Sequence, residues 1–279
     1  MGADDDPLDR LVAEVLRSPK YSQVCEEFVR RIGAGELGKR RSLKEAIKAT
    51  KNKLHQVGGA YLETAPNYVA WQERLTASAP DRERLREACR AIMAYHSSTR
   101  ERLSLLDAFF ATTLADLAPV RSVLDVACGL NPLAIPWMPL APGATYYAYD
   151  IYRDMIGFID GFMHLVSVNG QAQARDMLQF VPPERVEVAF LLKTIPCLEQ
   201  VDKSAGLRLL EAVNAGHALV SFPVRSLGGF DKGMADHYEA RLYELLAGKG
   251  WPVKRFEFAT ELAFLVDKRG APLREGDGS

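Results

Sequence analysis

Several protein classes are excluded by what this sequence lacks. No run approaches the roughly 18 consecutive apolar residues that a membrane-spanning helix requires. The stretch Met1-Gly2-Ala3-Asp4-Asp5-Asp6-Pro7 is acidic and is not followed by a basic-then-apolar pattern, so it does not read as a secretory leader. A cytoplasmic protein without a membrane partner is expected. Cysteine is scarce: Cys25, Cys89, Cys128 and Cys197 stand far apart, with no CxxC pair and no Cys/His spacing suited to a metal. Reduced thiols and no metal site are expected. There is no internal repeat and no low-complexity tract. The turn after the first apolar strand, at Gly129, also lacks the further glycines of G-x-G-x-x-G, which would bring backbone N–H groups against a pyrophosphate. Net charge is nearly absent, with 35 Lys and Arg against 36 Asp and Glu.

What is present suits a globular protein. The 279 residues are 48% hydrophobic and 25% charged, enough for one large domain and an added module. The balanced charge hides an asymmetry: between Arg17 and Lys53 there are eleven Lys and Arg against four Glu. A basic segment beside a neutral body points to a nucleic-acid partner. Lys39, Arg40, Arg41, Lys44, Lys48, Lys51, Lys53 and His55 cluster on one helix and its preceding loop, with Glu45 as the only acid among them. Clustered cations of this kind neutralise phosphates and release counterions, although a solvated helix face is the usual fate of a charge run.

The first hundred residues read as helices. Asp6-Pro7 is a start signal for a helix through Leu8, Leu11, Val12 and Val15. Tyr21, Val24, Phe28 and Ile32 form a second stripe that Gly33 and Gly35 are expected to end. Ser42 with Glu45, and Ser98 with Glu101, read as capping boxes, the second opening one helix through Leu114. Gly58-Gly59 stops the third helix, and a fourth begins near Asp81. The texture changes at Arg121. Strands over 123–127, 145–149, 171–175, 186–192 and 217–222, the first and fourth strongly apolar, alternate with helices, which implies a doubly wound, mostly parallel sheet. The chain closes with a helix and two adjacent strands, 253–258 and 261–266. That ending resembles the class I methyltransferase fold. The expected division is a helical region over 1–98 and a catalytic domain over 99–279.

The chemistry-bearing residues stand at strand ends, where a doubly wound sheet binds its ligand. Val123-Leu124-Asp125-Val126-Ala127-Cys128-Gly129 closes the first strand, Asp150 the second and Asp176 the third. Gly129 is expected to let the backbone pass close to a ligand. Asp150 suits a ribose diol and Asp176 an adenine amino group, with Met177 and Leu178 as an apolar wall. Aspartate also favours turns, so one of the three alone would carry little; three in register carry more. Leu130-Asn131-Pro132 follows in place of further glycines, and proline has no N–H to offer a phosphate. S-adenosylmethionine (SAM) has no phosphate and is indifferent to that loss. The fourth strand runs into Lys193-Thr194-Ile195-Pro196-Cys197. It lacks the N/D-P-P-Y/F of amino-group methyltransferases. Pro196-Cys197 resembles the cytosine-5 enzymes, but the stretch from Ser221 to Arg225 holds no second cysteine. Lys193 reads either as a rim lysine or as a holder of a phosphate or the target base. Arg102 reads as a clamp for the cofactor carboxylate or as a surface helix residue.

Nearly the whole chain resembles the aminoglycoside-resistance 16S rRNA (guanine-N7)-methyltransferase family of the actinomycete producer type. The resemblance rests on Lys53-Leu54-His55-Gln56 with Tyr61, on the string from His96 to Arg102, on Asp125 to Pro132, and on Ser221 to Gly229. It implies SAM as cofactor, Lys193 as the catalytic residue, and Arg102, Asp125, Ala127, Gly129, Asp150, Ile151, Asp176, Met177 and Gln200 as the cofactor site. It further implies that the basic segment and Arg225 grip 16S rRNA in the 30S subunit, the chain acting as a monomer. Phe230 departs from the basic residue that family members often carry after Ser-Leu-Gly-Gly; stacking is the role left to it, while Trp137 reads either as a stacking residue or, more commonly for its type, as core. Guanine N7 is an acceptor with no proton to remove, so the lack of an evident general base is expected. Adenine N1 or cytosine C5 methylation, or RNA binding without catalysis, are the alternatives.

Overall fold

Asp6 opens α1 (Pro7–Leu16) by accepting from the Leu8 N–H at 3.0 Å, with Pro7 at the first helical position. The computed structural model that places it describes residues 6–56, 66–180, 182–200, 202–226, 229–230 and 233–270, with backbone alone at 225, 226, 229 and 230. Next come α2 (Glu26–Leu37) and α3 (Leu43–Leu54). Leu11 and Val15 of α1, Phe28 and Ile32 of α2, and Ala46 and Leu54 of α3 form a core of their own.

The glycines expected to end α2 lie inside it, and the helix stops only before Gly38. A Cβ on Gly33 would meet Leu11 Cδ2 at 2.5 Å, so this glycine lets α1 and α2 approach. Ser42 caps α3 as expected, accepting from Glu45 N–H at 3.3 Å. Glu45 reaches back to the Arg41 N–H instead of closing the box on Ser42. Gly58, Gly59 and Tyr61 lie outside the described residues.

A helix that the sequence reading lacked, α4 (Tyr68–Ser78), precedes α5 (Arg82–Met93), which Asp81 caps. Trp71, Leu75, Leu85, Cys89 and Ile92 share a core with Tyr146, Phe158 and Phe190 of the sheet layer. The helices of the first 98 residues thus divide between two cores. The single helix expected from Ser98 to Leu114 is broken into α6 (Ser97–Arg100), a 3-10 turn (Leu103–Leu105) and α7 (Leu106–Thr113). The break turns Glu101 and Arg102 toward distant partners, so Glu101 does not close a box on Ser98.

The sheet contains β1 (Val120–Val126), β2 (Leu140–Asp150), β3 (Asn169–Ala174), β4 (Val186–Leu192), β5 (Ala215–Pro223), β8 (Val253–Glu257) and β9 (Glu261–Asp267). A separate hairpin pairs β6 (Arg225–Ser226) with β7 (Gly229–Phe230). The seven-stranded order is β3-β2-β1-β4-β5-β9-β8. β1 to β5 run parallel, while β9 is antiparallel to both β5 and β8. The closing hairpin is therefore the one read from sequence. α8 (Arg153–Leu165), α9 (Thr194–Glu199), α10 (Ala205–Ala212) and α11 (Met234–Leu246) complete the layers. Strand order reverses between β1 and β4, which opens a crevice at their carboxyl ends. Among the described residues no helix is long and apolar enough to cross a membrane.

Candidate functional site

A cleft enclosing about 830 Å³ of empty space, part of it open to solvent, lies at that crevice. Of the residues expected from sequence, Ala127, Asp150, Ile151, Asp176, Met177 and Lys193 line it. Phe28, His96, Thr194 and Cys197 line it too, although the sequence reading gave none of them a cofactor role.

The turn after β1 holds two left-handed residues, Ala127 at φ 52° and Gly129 at φ 51°. Gly129 serves a different neighbour from the one expected. A Cβ there would lie 3.0 Å from Cε1 and Nε2 of His96, so the glycine makes room for an imidazole of the protein itself. Burial, with Lys193 nearby, pushes that imidazole down to about 4, leaving it neutral at pH 7.

Each carboxylate has partners that the sequence did not reveal. Asp150 accepts from Gly129 N–H at 2.9 Å and from Ile151 N–H at 2.6 Å. Burial raises its carboxyl above the ordinary range, against those backbone donors. Asp176 takes a fork from Arg31 of α2: Nε donates to Oδ2, and Nη2 to Oδ1 at 3.2 Å. Leu178 N–H adds a third bond at 3.1 Å. Asp125 sits behind the turn rather than on the cleft wall. Its Oδ2 accepts from Tyr146 Oη at 2.6 Å and Asn131 Nδ2 at 2.8 Å. Its Oδ1 is buried and accepts no hydrogen bond from any described residue. Burial pushes this carboxyl up to about 6.

Arg102 corrects an expectation. It does not line the cleft, and the carboxylate it clamps belongs to the protein. Nε and Nη2 donate to Glu261 at 3.0 and 2.5 Å, Nη1 donates to Asn131 Oδ1 at 2.8 Å, and the guanidinium lies 4.6 Å from the Phe109 ring centre. Through Asn131 it supports Asp125. Gln200 is likewise displaced. It is exposed at the end of α9, whose turns carry Thr194, Cys197 and Leu198 to the cleft instead. Lys193, left-handed at φ 58°, is buried; Nζ donates to Glu101 Oε2 at 2.6 Å and to Ser98 O at 3.0 Å, with Glu261 Oε2 at 3.5 Å. Cys197 Sγ lies 3.2 Å from the Lys193 carbonyl one turn back. Trp137 is a core residue: Nε1 donates to Asp107 at 2.9 Å, and Arg86 and Arg90 each lie 5.2 Å from its ring centre.

The basic segment divides in two. Lys39, Arg41, Lys44, Lys48 and His55 are exposed. Arg40 and Lys53 both contact Glu36 at 2.9 Å, an acid that is only 1% exposed and that precedes the cluster in the chain. Burial opposes ionisation of Glu36, yet Lys53 and Arg40 outweigh it and hold the carboxyl below its ordinary range. Lys51 is half-buried, its carbonyl accepting from Tyr21 Oη at 3.0 Å. Arg225 lies in β6, and its side chain and that of Phe230 fall outside the described residues.

Comparisons with known proteins agree along the chain. The family model for ribosomal RNA methyltransferase (FmrO) matches residues 17–265. A 16S rRNA (guanine(1405)-N(7))-methyltransferase of Micromonospora echinospora is 34% identical over 270 residues, 95% of this chain and 98% of that protein. The enzyme of the same name from Frankia casuarinae is 36% identical over 271 residues, 95% of both. Among solved structures, the 16S rRNA methyltransferase RmtF in complex with S-adenosyl-L-homocysteine superposes with a TM-score of 0.77 at 30% identity, covering 95% of this chain and 99% of that one. These matches span the amino-terminal helices as well as the seven-stranded class I sheet, so the chain belongs to the ribosomal RNA methyltransferase (FmrO) family.

Proposed function

We propose that this chain transfers a methyl group from SAM to N7 of a guanine in the decoding site of 16S rRNA, within the 30S subunit, and so obstructs aminoglycosides that dock there. The carrying observation is the orphaned Oδ1 of Asp125, a fully buried acceptor behind a cleft whose rim holds Asp150 and Asp176. A buried acceptor without a donor is costly, and a ligand that brings one restores the balance.

The donor set of SAM fits these residues. Asp125 would hold its ammonium group, Asp150 the ribose hydroxyls and Asp176 the adenine amino group, with Ala127, Ile151 and Met177 as the apolar wall. The cofactor, when bound, supplies an electrophilic methyl group on its sulfonium. The chain itself has to orient and to exclude water. Guanine N7 carries a lone pair and no proton, so positioning does the work of a general base. Lys193, held between Glu101 and Glu261, is assigned to the target base or its phosphate. Arg102 acts at one remove, through Asn131 on Asp125.

The helical unit over 7–55 is assigned to docking on rRNA through Lys39, Arg41, Lys44 and Lys48, with Arg225 on the hairpin beyond β5. Exposed cations that lack buried acid partners favour phosphate contact. Action as a monomer in the cytoplasm, on the assembled subunit, completes the reading.

The test is to express the chain in cells lacking this modification and map small-subunit rRNA by primer extension and mass spectrometry. An unmodified decoding-site guanine overturns the proposal. Asp150→Ala should lose most SAM affinity, and unchanged binding removes the cofactor assignment.

A further inference from the structure

The cleft is not built by the sheet alone. Phe28 of α2 is one of its walls, and Arg31 lies one turn further along the same helix. The guanidinium of Arg31 lies 5.1 Å from the Phe28 ring centre and forks onto Asp176. The start of α2 is stitched to the ends of β2 and β3 by three further hydrogen bonds. Cys25 N–H donates to Ile151 O at 2.7 Å, and Arg153 N–H donates to Gln23 O at 2.8 Å. These two pair Val24 with Tyr152 in an antiparallel bridge, and Arg175 Nη1 donates to Glu27 Oε1 at 2.9 Å.

A carboxylate offers about four lone-pair positions. Arg31 takes two on Asp176 and Leu178 N–H takes a third. One acceptor position remains, and the planar fork fixes where it points. Without Arg31, the Asp176 side chain, 2% exposed, would be a buried acid with no ion-pair partner among the described residues.

We infer that Arg31 is a positioning residue for the adenine of the cofactor: it orients Asp176 so that the remaining acceptor position meets the exocyclic amino group, while Phe28 closes the wall beside it. The adenine subsite is therefore shared between the helical unit and the sheet. This rests on the reading that the cleft takes SAM.

The test measures binding of S-adenosylhomocysteine, and of its analogue lacking the 6-amino group, to the full chain by calorimetry. Arg31→Ala should bind S-adenosylhomocysteine about tenfold more weakly, the loss of a charge-assisted hydrogen-bonding arrangement. Its affinity for the 6-deamino analogue should match that of the unmodified protein. Arg31→Lys should recover part of the loss, because it restores the charge but not the fork. Equal or tighter binding of S-adenosylhomocysteine by Arg31→Ala overturns the inference. So does the same fold-loss for both ligands, which would mark Arg31 as a support of the fold only. If the unmodified protein binds neither ligand, the cofactor reading itself has failed.

Discussion

Arg102 and Glu261, 159 residues apart in sequence, meet in a buried fork of two hydrogen bonds at 3.0 and 2.5 Å. Glu261 also lies 3.5 Å from Lys193. Burial works against its ionisation, but Arg102 and Lys193 outweigh burial and hold the carboxyl below its ordinary range. Removing this one acid leaves buried Arg102 without a carboxylate and Lys193 with Glu101 alone. Glu261→Ala is expected to cost about 3–5 kcal/mol of stability, read as a lowered midpoint in urea unfolding. Replacing Arg102 by Met in the same protein should return part of that loss; a double variant less stable than the single one contradicts this account.

Two buried groups titrate in opposite senses. Asp125 is raised by burial from 3.8 to about 6, so between those values the folded protein binds the extra proton. Its contribution to stability therefore falls as pH rises through that window. His96 is lowered from 6.5 to about 4, first by burial and then by Lys193. The unfolded chain binds its extra proton there, so this contribution rises with pH. Between about 4 and 6 the two slopes oppose each other. Asp125→Asn removes one of them. Its urea midpoint should then drop more steeply on acidification from pH 6.5 than that of the unmodified protein, and parallel curves would refute the assignment.

Gly129→Ala meets two obstacles, a left-handed φ of 51° and a His96 ring 3.0 Å from the new methyl group. A loss of roughly 1–3 kcal/mol is expected, with weaker cofactor binding. Adding His96→Ala relieves the clash but not the backbone cost, so the double variant should show coupling between the two sites in a mutant cycle. Strict additivity would place His96 out of contact.

The cations of the basic segment should separate by experiment. Lys44→Ala and Lys48→Ala are expected to weaken binding to small-subunit rRNA, each lowering the salt slope by about 1, with unfolding unchanged. Lys53→Ala should instead destabilise the fold, because buried Glu36 would lose one of its two cations. The check is a pair of measurements on each variant, binding against salt and urea unfolding. A destabilised Lys48→Ala or an indifferent Lys53→Ala would reverse the division.

The sequence made legible whatever depends on neighbours along the chain. The apolar run over 186–192 coincides with β4, Asp6 caps the helix start it was read to open, and the helix read to begin near Asp81 does so. The acids were visible because each stands at or near the carboxyl end of a strand, where a doubly wound sheet binds its ligand. Their partners were not, since Arg31 reaches Asp176 across 145 residues and no local pattern links them. The same gap explains Arg102, singled out by its place before the sheet while its protein partner Glu261 stands 159 residues away. α4 was missed because only Trp71 and Leu75 of its residues are buried, which leaves little periodicity to read. Gln200 was placed by proximity to the Lys193 motif, and the helical turn after Leu198 carries it out to solvent.

The walls of the cleft run from Phe28 to Leu198, and the acid behind Arg102 and Lys193 arrives only with Glu261. During synthesis a growing chain would hold an unfinished pocket until β9 slots between β5 and β8. A chain cut before Glu261 would therefore lack the acid that Arg102 forks onto, and its cofactor site would stay without that support.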